Sequence, residues 1–347
     1  MNPFILYILL VSIGLGTLIT SASSHWFLAW MGLEINMLAI LPLMSQMHHP
    51  RATEATIKYF LIQSSATVLL LITVISNMWI SNTYLINAPL QTSLAHMTII
   101  ALGMKMGLAP LHAWLPEVMQ GVTLPVGLIL ATFQKIAPMI LIFQVSKTDS
   151  NMVDILGILS ILTGAWGGLN QTQMRKMLAY SSIGHTGWMM IVVNYSNTTS
   201  ILVMATYIIM TTTLFLVFML TSTKKMNQVA SSWSKCPVMA AILMMTLLSL
   251  SGLPPLTGFL PKILVLQELS KQGMILIAIM AVTGALLSLF FYLRICYITA
   301  LTISPNVNNT KTPWRVKKGK TTIILPITAI LSTTMLPIAP LLTAIFT

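Results

Sequence analysis

Charge is what this chain lacks most. Of its 347 residues only 7% are charged, while 56% are hydrophobic and the mean hydropathy is +0.87; an average soluble domain is about 25% charged. Six acids and eighteen bases cannot cover the surface of a soluble protein of this length. That excludes a large water-soluble fold and predicts an all-α polytopic membrane protein. Cysteine is scarce as well. Cys236 and Cys296 are too few and too far apart for a disulfide framework, a zinc site or an iron–sulfur cluster. A basic leader is also lacking: Met1 to Ile19 runs straight into an apolar stretch and reads as the first helix of the mature protein.

What is present is a series of apolar runs of spanning length, about 20 residues each. Eleven can be marked, near 3–21, 25–45, 57–80, 94–115, 123–144, 152–169, 177–195, 198–221, 238–262, 273–300 and 322–346, the ninth extending through its prolines to about 270. The connections are short, so one membrane domain accounts for residues 1–347. The loops after the second, sixth, eighth and tenth runs hold Arg51 and Lys58, Arg175 and Lys176, Lys224, Lys225 and Lys235, and Lys311, Arg315, Lys317, Lys318 and Lys320. The opposite loops hold Lys147 with Asp149, and Glu268 with Lys271. The positive-inside rule then puts the N-terminus on the cytoplasm-like side and the C-terminus on the other. Most of the net charge of +12 is thus topological signal. Its scattering over short loops gives a nucleic-acid partner no support, whereas the cluster from Lys311 to Lys320 suits anionic lipid head groups.

Two stretches are nearly alike: Gly107-Leu108-Ala109-Pro110-Leu111-His112-Ala113-Trp114-Leu115-Pro116-Glu117 and Gly252-Leu253-Pro254-Pro255-Leu256-Thr257-Gly258-Phe259-Leu260-Pro261-Lys262. They fall in the fourth and ninth runs, five helices apart, an odd offset that makes the two copies cross the membrane in opposite directions. This predicts two inverted five-helix repeats, about 1–146 and 150–302, with broken helices, followed by a C-terminal helix over about 322–346. Proline removes an intrahelical hydrogen bond, and the freed carbonyls must be met by other helices or by water. The same prolines also serve purely structural kinks, and either motif alone does not separate the two.

Four ionisable residues fall near the middle of a run: Glu34, Lys105, Lys135 and Lys262. At about 2.5–3.5 kcal/mol each, they cost roughly 10–14 kcal/mol if unrelieved, which rivals the stability of a whole domain. They must be paired or wet. Desolvation favours a neutral amine and a nearby carboxylate favours the ammonium, so moving Glu34 relative to a lysine would load or unload a proton. A static Glu34 salt bridge is the plainer alternative, but one acid cannot serve three lysines. His112, inside the first motif, and His185, mid-run, can bridge lysines through water or sit neutral and hydrogen-bonded. Glu117 and Arg294 lie near run ends, where snorkelling suffices.

Together, Gly32-Leu33-Glu34, Lys105, Leu111 to Pro116, the run from Met174 to His185 and Gly252 to Lys262 resemble the antiporter-like subunits of respiratory complex I over nearly the whole chain. The resemblance implies a proton-translocating subunit of an NADH:ubiquinone oxidoreductase in the mitochondrial inner membrane, its N-terminus in the matrix and its C-terminus in the intermembrane space. It implies that Glu34 is the paired glutamate, Lys105 its partner, Lys135 the connecting lysine and Lys262 the terminal lysine, with His112 and His185 lining a hydrated axis. It assigns no cofactor or metal to this chain; NADH, FMN, iron–sulfur clusters and ubiquinone are expected on other subunits. Expected partners are other membrane-arm subunits, neighbouring antiporter-like subunits among them, and lipids such as cardiolipin. Fuller members of the family begin about three helices earlier. A structural scaffold of the membrane arm and an independent cation/proton antiporter are the competing functions; one central acid against three lysines argues against a dedicated cation site.

Overall fold

Asn2 opens the first helix. Its side chain accepts the backbone N–H of Phe4 at 3.3 Å, and Pro3 sits where a helix needs no N–H. From there the computed structural model, which describes residues 2–45, 49–86, 90–146, 150–301 and 323–338, is helical throughout its elements. These are α1 (Pro3–Ala22), α2 (Trp26–Met44), α3 (Pro50–Ser81), α4 (Thr92–Met106), α5 (Trp114–Gly121), α6 (Leu124–Ala131), α7 (Phe133–Val145), α8 (Ser150–Gly168), α9 (Met174–Val193), α10 (Asn197–Thr221), α11 (Met226–Ala230), α12 (Ser232–Lys235), α13 (Pro237–Ser251), α14 (Phe259–Lys271), α15 (Ile275–Leu301) and α16 (Ile324–Thr334). Every apolar run read from the sequence contains helix. Seven of the described helical segments are long and apolar enough to cross a membrane by themselves. Outside the described residues lie His48, Lys147, Asp149, the cluster from Lys311 to Lys320 and the end of the eleventh run.

The chain divides into two units, Met1–Ser160 and Ile161–Thr347. In the first, α1 packs along α2, α3 lies against α2, α4 and α5, and α7 packs on α4. The α1–α2 contact depends on absent side chains. A Cβ on Gly16 would stand 2.2 Å from Asn36 Oδ1 and 2.9 Å from the Gly32 carbonyl, and one on Gly32 would meet Thr20 at 2.6 Å. Small residues let two helix backbones approach where lipid supplies no hydrophobic drive. At one end of this unit the connection after α1 pairs with the connection after α3, through a bridge between His25 and Leu85.

At 32 residues α3 is about 48 Å long, well beyond an apolar slab of about 30 Å. Arg51, Glu54 and Lys58 therefore ride on the helix itself rather than in the loop where the sequence placed the two bases. Lys58 bridges Glu54 and Glu117, each at 2.7 Å.

In the second unit α10 packs against α9, α13 and α16, and α13 against α15. Met174 N–H donates to the Lys224 carbonyl and Met226 N–H to the Thr172 carbonyl, both at 3.2 Å. Two of the basic connections read from the sequence, after the sixth and eighth runs, thus lie side by side. The second of them is not an open loop, since it carries the short helices α11 and α12.

Replacing Gly16 by valine should overpack the α1–α2 contact and cost about 1–3 kcal/mol. Gly14, with open space around it, is the control: Gly14→Val should stay within about 0.5 kcal/mol. Thermal denaturation of the detergent-solubilised protein checks both.

Candidate functional site

The two repeated motifs break their helices in the same way. α4 ends at Gly107 with φ +77° and α13 at Gly252 with φ +79°, the left-handed conformation that a glycine adopts freely just past a helix end. Each copy then turns through a cis peptide, Ala109-Pro110 and Pro254-Pro255. The chain re-enters helix at Trp114 and Phe259. Pro116 and Pro261 fall in the first turn of the new helices, where no N–H donor is needed. The second proline of each copy therefore seats the restart; the break itself belongs to the glycine and the residues directly after it. In the second copy the Thr257 hydroxyl ties the turn to the Ser332 carbonyl of α16.

The first unit gathers polar groups around the end of α4. Lys105, 7% exposed, lies in the last turn, where the helix's negative end favours a cation. Its carbonyl accepts from Gln63 Nε2 of α3 at 3.4 Å. Glu34 of α2 lies within electrostatic reach of both Lys105 and Tyr59. Glu34 and Lys105 form no direct ion pair, and Glu34 Oε2 is buried without a hydrogen-bond partner among the described residues. Beside Lys105 a cavity of about 10 Å³ is lined by Asn36, Gln63, Lys105 and Gln134 together with Leu33 and Pro138; Glu34 is not part of its wall. That is room for about one water, and polar walls of this kind hold one. Asn36 is 2% exposed and both its amide atoms lack a hydrogen-bond partner among the described residues.

Lys135 is 4% exposed in the first turn of α7. The fifth run breaks just before it, at Thr132 (φ −113°, ψ −74°), which the sequence reading did not anticipate. Pro138, inside α7, has no N–H to donate to the carbonyl of Gln134; the Gln134 side chain, independently, donates through Nε2 to the Asn36 carbonyl at 3.3 Å. Lys135 itself does not line the cavity at Lys105. Nor does His112. It is half-buried in the turn between α4 and α5, its Nδ1 3.3 Å from the Pro110 carbonyl.

In the second unit Lys262 and His185 line one cavity of about 20 Å³, with Tyr180 and Ser181 of α9 and Tyr292 of α15. His185 packs on the ring of Tyr207 of α10, centroids 5.6 Å apart. Ser182 lies beside Tyr207 and Ser181 beside Tyr292. Hydroxyl, imidazole and amine thus share one small enclosure. Arg294, placed at a run end by its sequence, caps the chain after α8 by donating to the Leu169 carbonyl at 3.1 Å.

Sequence reasoning missed the amides Asn36, Gln63 and Gln134 and the phenols Tyr207 and Tyr292. Mid-run amides were the available signal, since each costs free energy in lipid unless satisfied.

An all-helical membrane fold with two broken helices, each bringing a lysine to its break, is the architecture of an ion-translocating membrane subunit. Residues 23–288 match the family model described as NADH:quinone oxidoreductase/Mrp antiporter, TM, and residues 289–343 match that of the NADH dehydrogenase subunit 2 C-terminus. The chain belongs to the NADH:quinone oxidoreductase/Mrp antiporter family. It is 54% identical to NADH-ubiquinone oxidoreductase chain 2 of Gadus morhua over 98% of both chains, and 51% identical to that of Salmo salar over the full length of both. Its fold is similar to a chain of respiratory complex I from Thermus thermophilus (TM-score 0.85, 24% identity, 99% of this chain and 79% of that one). It also resembles a chain of the Mrp complex of Dietzia sp. DQ12-45-1b (TM-score 0.79, 16% identity, 97% and 75%).

Asn36→Leu replaces two unpartnered polar atoms by a side chain of nearly the same shape, and its stability should stay within about 1 kcal/mol of the parent. Arg294→Met leaves the Leu169 carbonyl uncapped and should cost about 1–3 kcal/mol. Thermal unfolding of the two variants side by side decides whether the amide is structural.

Proposed function

We propose that this chain is the proton-translocating, antiporter-like membrane subunit of an NADH:ubiquinone oxidoreductase of the mitochondrial inner membrane. The observation that carries the reading is the pair of helices broken at one glycine–proline motif, each with a lysine at the break. The full-length likeness to vertebrate NADH-ubiquinone oxidoreductase chain 2 supplies the assembly. In the first unit Glu34, Lys105 and Lys135 make up a loading group; in the second, His185 and Lys262 do. Redox steps on other subunits change the electrostatic cost of an ammonium at these lysines, and each lysine answers by taking or giving a proton. Moving a charge against the membrane potential requires about 2.3 kcal/mol per 100 mV, comparable with the 1.36 kcal/mol carried by each unit of change in proton affinity. His112, turned toward its own loop, serves at the rim.

NADH, FMN, iron–sulfur clusters and ubiquinone belong to other subunits in this reading, and this chain's partners are the neighbouring membrane-arm subunits. The basic connections after α8 and α10 face the matrix together with the N-terminus, and the C-terminus faces the intermembrane space. Residues 1–146 and 150–302 are inverted repeats, with the helix over 322–346 added. The cluster from Lys311 to Lys320 meets anionic lipid, cardiolipin in this membrane. A scaffold role is the second reading. The ion-paired Lys58 and Lys271 show how this chain treats purely structural lysines: both lie on exposed ends with a carboxylate at 2.7 Å, unlike Lys105.

The test is Lys105→Met in vesicles holding the assembled complex. Assembly should be normal, and NADH-driven acidification should fall at least tenfold, about 1.4 kcal/mol or more of lost barrier lowering. Full pumping with intact assembly would leave only the scaffold.

A further inference from the structure

Among the described residues Lys262 has no carboxylate partner. Its Nζ donates at 2.6 Å to the carbonyl of Ser251, the last residue of α13. The last four carbonyls of a helix have no intrahelical partner, and they carry the negative end of the macrodipole. Breaking the helix at Gly252 places that end inside the bundle, where Ser251 is 2% exposed. The lysine stem crosses the glycine to reach it. A Cβ on Gly252 would lie 2.8 Å from Lys262 Cδ, 2.8 Å from Nζ and 2.9 Å from Cε. The first motif lacks this device, because a Cβ on Gly107 would meet Leu115 and Trp114, and the position matching Lys262 is Glu117, paired with Lys58.

We propose that the severed end of α13 is the counter-ion of Lys262, and that Gly252 is a positioning residue which keeps the docking path open. The inference rests on the proton-carrying reading of Lys262 and adds how its charge is held. The amine takes one proton from a hydronium in the cavity, leaving water. The resulting ammonium docks on the Ser251 carbonyl; on release it returns the proton to a water and swings back toward the cavity. The titratable groups facing it are His185 and Tyr180 from α9 and Tyr292 from α15; α10, which also packs on α14, brings Tyr207 against the His185 ring, α13 contributes none, and no carboxylate lines the cavity. A carbonyl dipole suits this task better than a carboxylate would. It stabilises the ammonium without binding the proton itself, and it holds a cation more weakly than a full charge, so the lysine can leave.

Gly252→Ala in the assembled complex tests the docking. The methyl obstructs the lysine, the ammonium loses its carbonyl, and proton affinity falls. The alkaline limb of the pumping profile should therefore move about one pH unit toward acid, a tenfold change. Backbone strain at φ +79° alone would lower the rate equally at all pH values and leave the limb in place, overturning the inference. Experimental structures of the unmodified complex at acid and alkaline pH decide independently of whether the variant assembles. Nζ should be on the Ser251 carbonyl in the first and withdrawn into the cavity in the second; an unchanged position overturns the inference. Lys262→Met separates the two levels: normal pumping by that variant would remove the proton-carrying reading itself, whereas lost pumping beside an unmoved limb in Gly252→Ala would remove only the docking.

Discussion

A helix cannot be broken in lipid without consequence. Every N–H and C=O left unpaired in a bilayer costs several kcal/mol, so a break persists only where other groups or water satisfy what it frees. This chain breaks the helices of its fourth and ninth runs and puts a lysine at each break. The two liabilities offset one another. Orphan carbonyls need donors, and a buried ammonium needs acceptors. Lys262 on the Ser251 carbonyl is the direct form of that bargain. Lys105, in the final turn of α4 with Gln63 on its carbonyl, is the indirect one.

The same constraint explains the polar company around each break. Asn36, Gln63 and Gln134 in the first unit, and Tyr180, Ser181, His185 and Tyr292 in the second, would each be a burden on a lipid-facing surface. They are gathered instead around cavities with room for a water or two. Neither group contains a fixed, fully formed ion pair among the described residues.

Most of the helical framework was legible in the sequence, since hydropathy over about 20 residues is a strong signal. The likeness of the two motifs was legible too, and Gly107 and Gly252 adopt one conformation. Less was visible where local chemistry decides. The break at Thr132 has no glycine or proline of its own and lies six residues before Pro138. The extension of α3 past the apolar slab hid behind residues that read equally well as loop, and α11 and α12 form in a segment too polar to mark. Among the site residues, Lys105, Lys135 and Lys262 were conspicuous because charge in lipid is rare. Tyr207 and Tyr292 were not, since an aromatic in an apolar run reads as core. His112 stood inside the motif, yet its imidazole lies by the Pro110 carbonyl and is not part of the Lys105 cavity lining, which spacing alone could not reveal.

Hydration at the breaks can be seen directly. An experimental density map of the assembled complex, at a resolution that resolves ordered water, should show water within hydrogen-bonding distance of Lys105 and Asn36 in one unit and of His185 and Lys262 in the other. Dry cavities at both places, in a map that shows water elsewhere in the membrane region, would contradict it. The lysines would then be charges without a proton path.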